Sequence, residues 1–494
     1  MILSILTSLF TWENFLFMNI GLAAGIVVGA LPGLTGTMCI ALLLPMTYGL
    51  NSVTGMILLL GVYCGGIFGG SITAILINTP GTPASAATVL DGYPMAKNGH
   101  AGRALTVALS ASEVGGLFSV LVLMVAAPPI ARFALDFGPA EYFSLALFGL
   151  TIIASVGGDS LIKGLLMGFA GLFVSTIGMD PVGGTDRFTM NITSLSSGIG
   201  IIPALIGLFA ITEIMYKTRN IYKPVGDVVE IKGRERQSFF AIFKYKATLL
   251  KSSIIGTFIG SVPGTGAAIA SFLSYNEAKR SSKNPEKFGT GYEEGIIASE
   301  AANNAVTGAT LIPLLTLGIP GDTNTAVLIG ALTMQGIIPG PQLFIQQKQW
   351  VYSIMLALLI VNIFMYIQGK FFIRFFVNVT KVPTEVLVPI LVALCIIGAY
   401  AVNNTTFDAL LMTLFGLFGY YMKKLNFPLT PMVIAIVLGP LAESNMRRAL
   451  IMSQGSWMIF FQKPISCFFI VLAAFMLLFP VIKKQLTKKR QVQS

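Results

Sequence analysis

The sequence predicts an all-α, polytopic integral membrane protein made of two inverted-topology repeats, with Pro-Gly-broken or re-entrant helices and about 10–12 membrane segments. Three observations predict this fold class. Apolar residues fill 54% of the 494 positions and charged residues only 11%, a balance that soluble globular domains do not show. Residues 14–90 contain no Asp, Glu, Lys, Arg or His. Pro-Gly pairs nevertheless interrupt such stretches, although irregular backbone survives in a membrane only inside protein or beside water.

Each Pro-Gly break in the first half has a counterpart in the second half, which indicates an internal duplication. The pairs are Pro32-Gly33 with Pro263-Gly264, and Pro80-Gly81 with Pro320-Gly321. Their separation predicts a repeated unit of roughly 240 residues. The predicted divisions are a first membrane repeat (1–216), a basic cytoplasmic linker (217–251), a second, inverted membrane repeat (252–446), and a final transmembrane helix with a basic cytoplasmic tail (447–494).

The distribution of basic residues predicts which ends of the chain face the cytoplasm. The 217–251 linker holds nine Lys/Arg against three Asp/Glu, the C-terminal tail is also basic, and the first 13 residues carry neither Lys nor Arg. Loops rich in Lys and Arg remain on the cytoplasmic side of the membrane. The N-terminus is therefore predicted to be periplasmic and the C-terminus cytoplasmic. A first repeat that begins outside and ends inside crosses an odd number of times, and the second repeat is therefore predicted to be inverted.

Uncharged or nearly uncharged runs predict the membrane helices in chain order. They cover 53–77, 140–156, 193–212, 351–369, 386–401, 428–442 and 464–482. Each is close to the roughly 20 residues that span a bilayer. Before them, residues 14–50 form helix, break and helix, as either a re-entrant hairpin or two full spans. A helix over 104–126 is predicted to end before Pro128-Pro129, because proline removes a backbone donor and clashes with the preceding turn.

The breaks predict a binding site for an anionic group. A half-helix that starts after a Pro-Gly turn presents free N–H groups and a partial positive charge, so it holds a carboxylate without a permanent cation. Hydroxyl and amide side chains near the breaks, among them Thr37, add hydrogen-bond partners. The alternative is that Pro and Gly merely kink helices and let them pack closely. The predicted substrate-binding residues are Pro32, Gly33, Thr35, Gly36, Asn78, Thr79, Pro80, Gly81, Thr82, Pro263, Gly264, Thr265, Gly266, Pro320, Gly321, Thr323 and Asn324.

Two acids near the last break predict where a coupling ion or proton is handled. Asp322 is the only charged residue for more than twenty positions on either side, and Glu300 precedes Asn303 and Asn304. An ionisable side chain at membrane depth costs at least about 2.5 kcal/mol. Asp322 has an alternative role as the cap of the following half-helix, and Glu300 an alternative place at the membrane interface. Glu113 is a third intramembrane acid, whose alternative role is an interhelical hydrogen bond.

The remaining composition argues against several other functions. The four cysteines lie inside apolar segments and the single histidine lies in a polar loop, so no cofactor is expected beyond a possible sodium ion. An intramembrane enzyme would need a nucleophile and a base, or a metal set, facing one cavity. The sequence has no Asp/Glu-rich or Cys/His motif, so an enzyme is not expected. The net charge of +11 lies in loops and reports topology rather than nucleic-acid binding. A channel or scaffold subunit is the further alternative, although it would not need paired breaks with acids beside them.

Several motifs resemble one family along nearly the whole chain. The most specific is Asn78-Thr-Pro-Gly-Thr-Pro-Ala-Ser-Ala-Ala-Thr-Val-Leu-Asp91; the others are Gly29-Ala-Leu-Pro-Gly33, Gly260-Ser-Val-Pro-Gly264, Glu300-Ala-Ala-Asn-Asn304, Gly318-Ile-Pro-Gly321 and Glu443-Ser-Asn-Met-Arg-Arg448. Together they resemble the large membrane subunit of tripartite tricarboxylate transporters. The loop around Arg280 to Gly289 resembles that family only loosely.

The resemblance implies partners and an energy source that composition does not give. Such subunits work in the bacterial inner membrane with a small membrane subunit and a periplasmic substrate-binding protein. They import small carboxylates with an ion gradient, sodium or proton, rather than ATP, and the chain has no Walker-type phosphate loop. A stand-alone ion-coupled carboxylate symporter is the alternative. Substrates differ between members, so the resemblance does not select one carboxylate.

Overall fold

The computed structural model describes residues 7, 9–31, 33–151, 160–180, 183–218, 229, 238–379 and 384–477. These residues are almost entirely helical, which confirms the predicted all-α membrane class. Six of the described helices are long and apolar enough to cross a membrane: Trp12–Gly29, Ser52–Leu76, Val89–Ala134, Ile201–Thr218, Lys348–Ile373 and Glu385–Asn403. Shorter apolar helices lie between them, as expected where Pro-Gly pairs interrupt membrane sequence.

The first half of the chain forms nine helices within the described residues. They are α1 (Trp12–Gly29), α2 (Gly36–Leu43), α3 (Ser52–Leu76), α4 (Val89–Met95), α5 (Ala101–Ala134), α6 (Pro139–Thr151), α7 (Leu161–Ser175), α8 (Thr193–Ser196) and α9 (Ile201–Thr218). A short antiparallel hairpin, β1 (Gly178–Met179) with β2 (Asp186–Arg187), lies between α7 and α8.

The second half continues with α10 to α21. They are α10 (Lys246–Ser261), α11 (Gly266–Ser281), α12 (Glu293–Ala309), α13 (Leu311–Leu317), α14 (Thr323–Met334), α15 (Leu343–Gln346), α16 (Lys348–Val379), α17 (Thr384–Asn403), α18 (Thr406–Lys424), α19 (Thr430–Met452), α20 (Ile459–Gln462) and α21 (Pro464–Leu477).

Helix α5 runs through the double proline at which the sequence predicted its end. Pro128 and Pro129 lie inside the helix, which continues to Ala134, so the predicted boundary was wrong. Ala127, Ala131 and Ala134 remain buried on one face. Packing along that face outweighs the lost backbone hydrogen bonds, and transmembrane helices tolerate proline for this reason.

The first break reverses the direction of the chain. Helices α1 and α3 run parallel in close contact, because Gly21 of α1 meets Leu58 while Gly29, two turns later, meets Gly66. A Cβ on Gly21 would overlap the carbonyl oxygen of Leu58, so only glycine permits this approach. Since α3 starts level with the early part of α1, α2 must carry the chain back. The stretch is a helical hairpin, which both a re-entrant segment and two full spans would form.

The second half repeats this arrangement around the third break. Gly256 of α10 meets Ala302 of α12, and Gly260 meets Val306, so α10 and α12 are also parallel and α11 brings the chain back. The corresponding helices α3 and α12 run in opposite directions where they touch, because Tyr63 meets Thr310 while Ser71, two turns later, meets Glu300. Such opposition is what an inverted repeat requires, but descent from one duplicated unit and the predicted domain boundaries stay predictions.

A buried aspartate joins the end of the first break region to the second half. Asp91 is fully buried, and its Oδ1 accepts hydrogen bonds from the N–H groups of Gly289 (2.9 Å), Gly291 (2.9 Å) and Tyr292 (2.8 Å). Its Oδ2 accepts from the Tyr275 hydroxyl at 2.8 Å. The carboxylate therefore fixes the loop between α11 and α12, the loop that resembles the family only loosely.

We expect Asp91→Ala to lower the free energy of unfolding by about 3 kcal/mol, because four donors, of which the Tyr275 hydroxyl is buried, lose their acceptor. The measurement is the apparent melting temperature of the purified protein in detergent. The control is Glu286→Gln in the same loop, where the side chain is exposed and the change should be within about 0.5 kcal/mol. If Asp91→Ala has the same melting temperature as the wild type, the carboxylate does not hold this loop.

An ion network fixes the hairpin to α19. Arg187 binds Glu443 through two nitrogens, at 2.5 and 3.2 Å, and Arg447 bridges Glu443 and Asp180, each at 2.7 Å. The hydrogen bond to Glu443 raises the pKa of Arg187 above its usual value. The Glu443 motif therefore anchors the hairpin and does not line the central cavity.

Candidate substrate cavity

All four breaks meet at one cavity of about 290 Å³. The two helical hairpins place the α1–α2 reversal beside Gly66 of α3 and the α10–α11 reversal beside Val306 of α12. The lining residues are Thr35, Gly36, Thr37, Gly66, Ile67, Thr82, Pro83, Ala84, Gly264, Thr265, Gly266, Ala267, Ala268, Asp322, Thr323, Asn324, Thr430 and Ile434. Asp322 is the single charged residue among them, so the lining holds no Lys, Arg or His.

Three half-helices begin at this cavity, and one of them lacks a side-chain cap. Thr35 caps α2 by accepting from Met38 N–H at 3.2 Å, and Asp322 caps α14 by accepting from Thr325 N–H at 2.8 Å. Thr265 precedes α11, but its hydroxyl donates to the Val262 carbonyl at 2.9 Å instead. The first turn of α11 thus presents uncapped N–H groups and the positive end of a 16-residue helix, which favours an anion.

Hydroxyl groups complete the polar part of the lining. Thr82 is 5% exposed, and its Oγ1 has no hydrogen-bond partner among the described residues. On the opposite wall, the Thr37 hydroxyl donates to Asn324 Oδ1 at 2.7 Å and lies 3.1 Å from Thr323 Oγ1. A buried hydroxyl without a partner is uncommon. Thr82 therefore marks a place where a ligand atom fits.

Asp322 fills the capping role that the sequence offered as an alternative. Its Oδ1 accepts from both the N–H and the hydroxyl of Thr325 at 2.8 Å, in a complete capping box. Its Oδ2 accepts from the Tyr63 hydroxyl at 2.8 Å and from Asn324 Nδ2 at 3.1 Å. Both oxygens are therefore satisfied without a bound ion, and the carboxylate fixes the start of α14.

Tyr63 is a positioning residue that sequence reasoning missed. It is fully buried on α3, and its hydroxyl also lies 3.0 Å from Thr310 Oγ1. No signal marked it, because a tyrosine within an apolar run reads as core. Its hydrogen bonds join α3 of the first half to α12 and α14 of the second half beside the cavity.

We expect Tyr63→Phe to reduce uptake about tenfold through a higher apparent KM, because removing a hydrogen bond to a charged group costs roughly 1.5–3 kcal/mol and releases the α14 N-terminus. Substrate uptake and melting temperature are measured together. Tyr48→Phe is the control, since Tyr48 is 60% exposed. If Tyr63→Phe lowers the melting temperature but leaves KM unchanged, Tyr63 acts in packing and does not position the α14 N-terminus.

Glu300 lies in a second polar group next to the cavity, which we call the Glu300 cluster and define as Ser71, Thr88, Ser112, Glu300, Asn303 and Asn304. Glu300 is fully buried inside the protein. Its Oε1 accepts from Ser71 (2.6 Å) and Thr88, and its Oε2 from Ser112 (2.9 Å).

The Asn303 amide connects the cluster with the cavity. Asn303 Nδ2 donates to the carbonyl of Ala84, a lining residue, at 3.2 Å, and it also approaches Glu300 Oε1 at 3.4 Å. Asn304 Nδ2 donates to Ser112 Oγ at 2.8 Å and to Asn303 Oδ1 at 2.6 Å, while Asn304 Oδ1 has no hydrogen-bond partner among the described residues. The cluster and the cavity therefore share one wall.

Not every predicted binding residue faces the cavity. Asn78 and Thr79 are exposed and lie outside the lining, and Pro32 falls outside the described residues. Others shape the breaks without lining the cavity: Gly33, Pro80, Gly81, Pro263, Pro320 and Gly321. Close packing requires glycine at position 81, because a Cβ on Gly81 would overlap the Gly29 carbonyl oxygen. These positions therefore build the backbone on which the lining residues stand.

Sequence reasoning also missed part of the lining. The missed residues are Gly66, Ile67, Pro83, Ala84, Ala267, Ala268, Thr430 and Ile434. Ala267 and Ala268 are marked only by their place after the third break, because alanine side chains carry no polar group. Thr430 and Ile434 come from α19, far along the chain, and carry no signal in the sequence.

The fold and the cavity define a class: a multi-pass helical membrane protein whose broken helices surround a central polar cavity. Within the described residues no group of three or more His, Cys, Asp or Glu side chains is placed to hold a metal ion. The chain belongs to the tripartite tricarboxylate transporter TctA family, which it matches over residues 15–434. This confirms the family predicted from the motifs, and it makes the protein a subunit of a tricarboxylate transporter rather than a member of an enzyme family.

Two relatives come from Agrobacterium vitis. The "Uncharacterized 52.8 kDa protein in TAR-I ttuC' 3'region" is 38% identical over 458 residues, which cover 92% of this chain and 90% of the relative. The "Uncharacterized protein in TAR-II ttuC' 3'region" is 35% identical over 237 residues, 48% of this chain and 98% of that protein. No solved structure matches the chain.

Proposed function

We propose that this chain is the substrate-translocating subunit of a binding-protein-dependent secondary transporter that imports carboxylates, driven by a sodium or proton gradient. The observation that carries the proposal is the meeting of four breaks at one cavity, with the uncapped start of α11 in its wall. Broken helices around a central site are the build of secondary transporters. A channel or scaffold subunit has no need of a closed anion site.

The carboxylate of the substrate is held between α11 and Thr82. The N–H groups of Gly266, Ala267 and Ala268 form the first turn of α11 at the cavity, and the Thr82 hydroxyl lacks a partner within the described structure. The segment that carries Thr82 packs against α11. N–H donors and one hydroxyl suit a carboxylate, and the helix dipole supplies the charge that the lining lacks.

The coupling cation binds at the Glu300 cluster rather than at Asp322. Three of the groups around Glu300 are hydroxyls, from Ser71, Thr88 and Ser112. A hydroxyl rotates and turns a lone pair to a cation. Asp322 also accepts from two hydroxyls, but its Oδ1 is held by the backbone N–H of Thr325 in a complete capping box, and a backbone N–H cannot become a cation ligand. Asp322 therefore serves as a cap, and a sodium ion or proton at Glu300 supplies the coupling.

One segment transmits the effect of the cation to the substrate. Thr82 and Ala84 line the cavity, while Thr88 donates to Glu300 and Asn303 donates to the Ala84 carbonyl. A cation bound at Glu300 attracts Thr88 and Asn303, and their movement shifts the segment with Thr82 and Ala84 that lines the cavity. Each ligand then favours the conformation that the other binds, which is the requirement for coupling.

The chain works with partners in a bacterial inner membrane. A small membrane subunit and a periplasmic substrate-binding protein complete the transporter, the N-terminus is periplasmic, and the C-terminus is cytoplasmic. The second candidate is a stand-alone ion-coupled carboxylate symporter, which differs in needing no binding protein.

Uptake of radiolabelled carboxylates into proteoliposomes tests the proposal. The chain is reconstituted with its partner subunits, with and without a sodium or proton gradient. Saturable uptake that requires both the binding protein and one gradient is expected. Strong saturable uptake by the chain alone would establish the stand-alone symporter, and gradient-independent flux would establish a channel.

Site-directed labelling tests the predicted orientation of the second half. Lys283→Cys lies in the loop between α11 and α12, and Ile338→Cys lies beyond α14, where Ile338 is 81% exposed. In a background without native cysteines, we expect a membrane-impermeant maleimide to label Ile338→Cys in intact spheroplasts and Lys283→Cys only after permeabilisation. Labelling of both from the same side would contradict the inverted arrangement.

A further inference from the structure

A second cavity, of about 500 Å³, lies beside the fourth break, Pro320-Gly321, and we call it the outer cavity. Its lining comes mainly from the end of α5, the residues before the break, the second half of α14, the loop that leads into α15, and the second half of α19. The outer cavity opens to the surface, because Ile338, Gln342 and Gln346 in its lining are exposed. The linings of the outer and central cavities share no residue.

Three segments lead from the central cavity to the outer cavity. In the fourth break, Asp322 lines the central cavity and Gly318, four residues earlier, lines the outer one. On α19, Ile434 lines the central cavity and Leu438 the outer one, and four residues of helix rise about 6 Å. Helix α14 likewise lines the central cavity at its start and the outer cavity further along. The two linings therefore approach each other to within about one helical turn.

Buried apolar side chains occupy this turn between the two cavities. Ile319, Ile434 and Leu438 are all buried, and the last two belong to one packed cluster. Ile319 and Leu438 both lie against Gly149 of α6, where a Cβ would be 3.4 Å from Ile319 Cγ2 and 2.9 Å from Leu438 Cδ1. Transfer of a carboxylate into apolar surroundings is strongly unfavourable. A carboxylate can therefore pass between the cavities only when these side chains move apart.

The polar side chains of the outer cavity are mostly amides. Gln342, Gln346, Gln347 and Asn445 are in the lining, and none of the described lining residues is Asp, Glu, Lys, Arg or His. An amide nitrogen donates hydrogen bonds to a carboxylate, and such a neutral donor binds more weakly than a charged one. A site on a transport path must bind its substrate well enough to admit it and weakly enough to release it. The lining fits that requirement for a carboxylate.

Exposed charges near the outer cavity are mostly basic. Of the described residues within three positions of the lining in the sequence, Arg132, Lys348 and Arg448 are exposed bases and Asp136 is the one exposed acid. Glu443 is also near but pairs with two arginines. Basic residues around an opening attract anions and raise their local concentration.

We propose that the outer cavity is a transit site for the carboxylate substrate, between its delivery on the periplasmic side and the central cavity. The inference rests on the proposed function, because it needs the orientation in which Ile338 is periplasmic. It adds a second carboxylate site, weaker than the one at α11. It also assigns Ile319, Ile434 and Leu438 as the barrier that opens when the substrate moves from one cavity to the other.

Charged modification of a cysteine in the lining tests the transit site. Gln346→Cys lies in the lining, whereas Ile345→Cys, its matched control, is 59% exposed and lies outside the lining. Each variant, in a background without native cysteines, is reconstituted with the partner subunits, and the binding protein is added outside the proteoliposomes. Each is treated with one of two methanethiosulfonate reagents of similar size, an anionic sulfonate or a cationic trimethylammonium.

We expect the anionic reagent to reduce initial uptake by Gln346→Cys about tenfold or more below saturating substrate, because a fixed negative charge repels the carboxylate inside the cavity. The cationic reagent should reduce uptake by the same variant less than about threefold, since it adds no repulsion. Either reagent should change uptake by Ile345→Cys less than about twofold, because salt screens exposed charges. Saturating carboxylate should slow the reaction of the reagent with Gln346→Cys and not with Ile345→Cys.

Uptake before modification separates this inference from the proposed function. If the wild type shows no saturable carboxylate uptake, the proposed function fails and the transit site fails with it. If Gln346→Cys transports carboxylate and the anionic reagent leaves that uptake unchanged, only the transit site is overturned. Equal losses with both reagents at both positions would indicate a surface that docks the binding protein, and they would overturn the transit site as well.

Discussion

Replacing Ala268 with aspartate is expected to reduce carboxylate uptake by about 100-fold or more. Ala268 lines the cavity in the first turn of α11, whose N–H groups have no side-chain cap. An aspartate there accepts those N–H groups itself and places a negative charge in the substrate position. Two like charges about 4 Å apart repel by about 4 kcal/mol at an effective dielectric constant near 20, and each 1.4 kcal/mol is tenfold in affinity.

Ala268→Asn is the matched control, because it has the same size without the charge. It should lose far less uptake than Ala268→Asp. Melting temperature separates this effect from misfolding, since an aspartate near a helix N-terminus stabilises the helix and Ala268→Asp should melt no lower than Ala268→Asn. Equal uptake by the two variants would show that the carboxylate does not bind at α11.

Glu300→Gln is expected to abolish the stimulation of uptake by the ion gradient. The glutamine keeps the volume and one oxygen, but it removes the only charge in the cluster that compensates a cation. Coupling free energies are typically about 1–3 kcal/mol, or about 5–150-fold in affinity, so uptake with and without the gradient should become nearly equal. The measurement is initial uptake in proteoliposomes at several sodium concentrations and pH values.

The control for Glu300→Gln is Asp91→Asn, which also converts a fully buried acid to its amide. Asp91 holds a loop at a distance from the cavity, so this variant should be less stable but keep its ion dependence. Asp322→Asn adds a comparison between the two intramembrane acids. If it loses ion dependence while Glu300→Gln retains it, the coupling site lies at Asp322, and the assignment of Asp322 as a cap is insufficient.

The positions of the breaks could be predicted from the sequence, but the identity of the lining could be predicted only in part. Pro-Gly pairs inside uncharged stretches mark a reversal directly, because proline and glycine act on their own backbone. Thr35, Thr82 and Thr323 were found in this way and do line the cavity. Asn78 and Thr79 have the same local sequence signal, yet they are exposed, since the direction of a side chain within a turn depends on what packs around it.

The sequence by itself determined the membrane class, the family, the places where helices break and the presence of rare acids, since composition and local backbone chemistry decide these. Only the tertiary structure decided what those acids touch. Asp322 meets Tyr63 from a distant helix, and Glu300 meets Ser71 and Thr88 from the other half. Whether a buried carboxylate is capped, clustered or left without a partner is a property of contacts between segments far apart in the chain, and local patterns carry no information about such contacts.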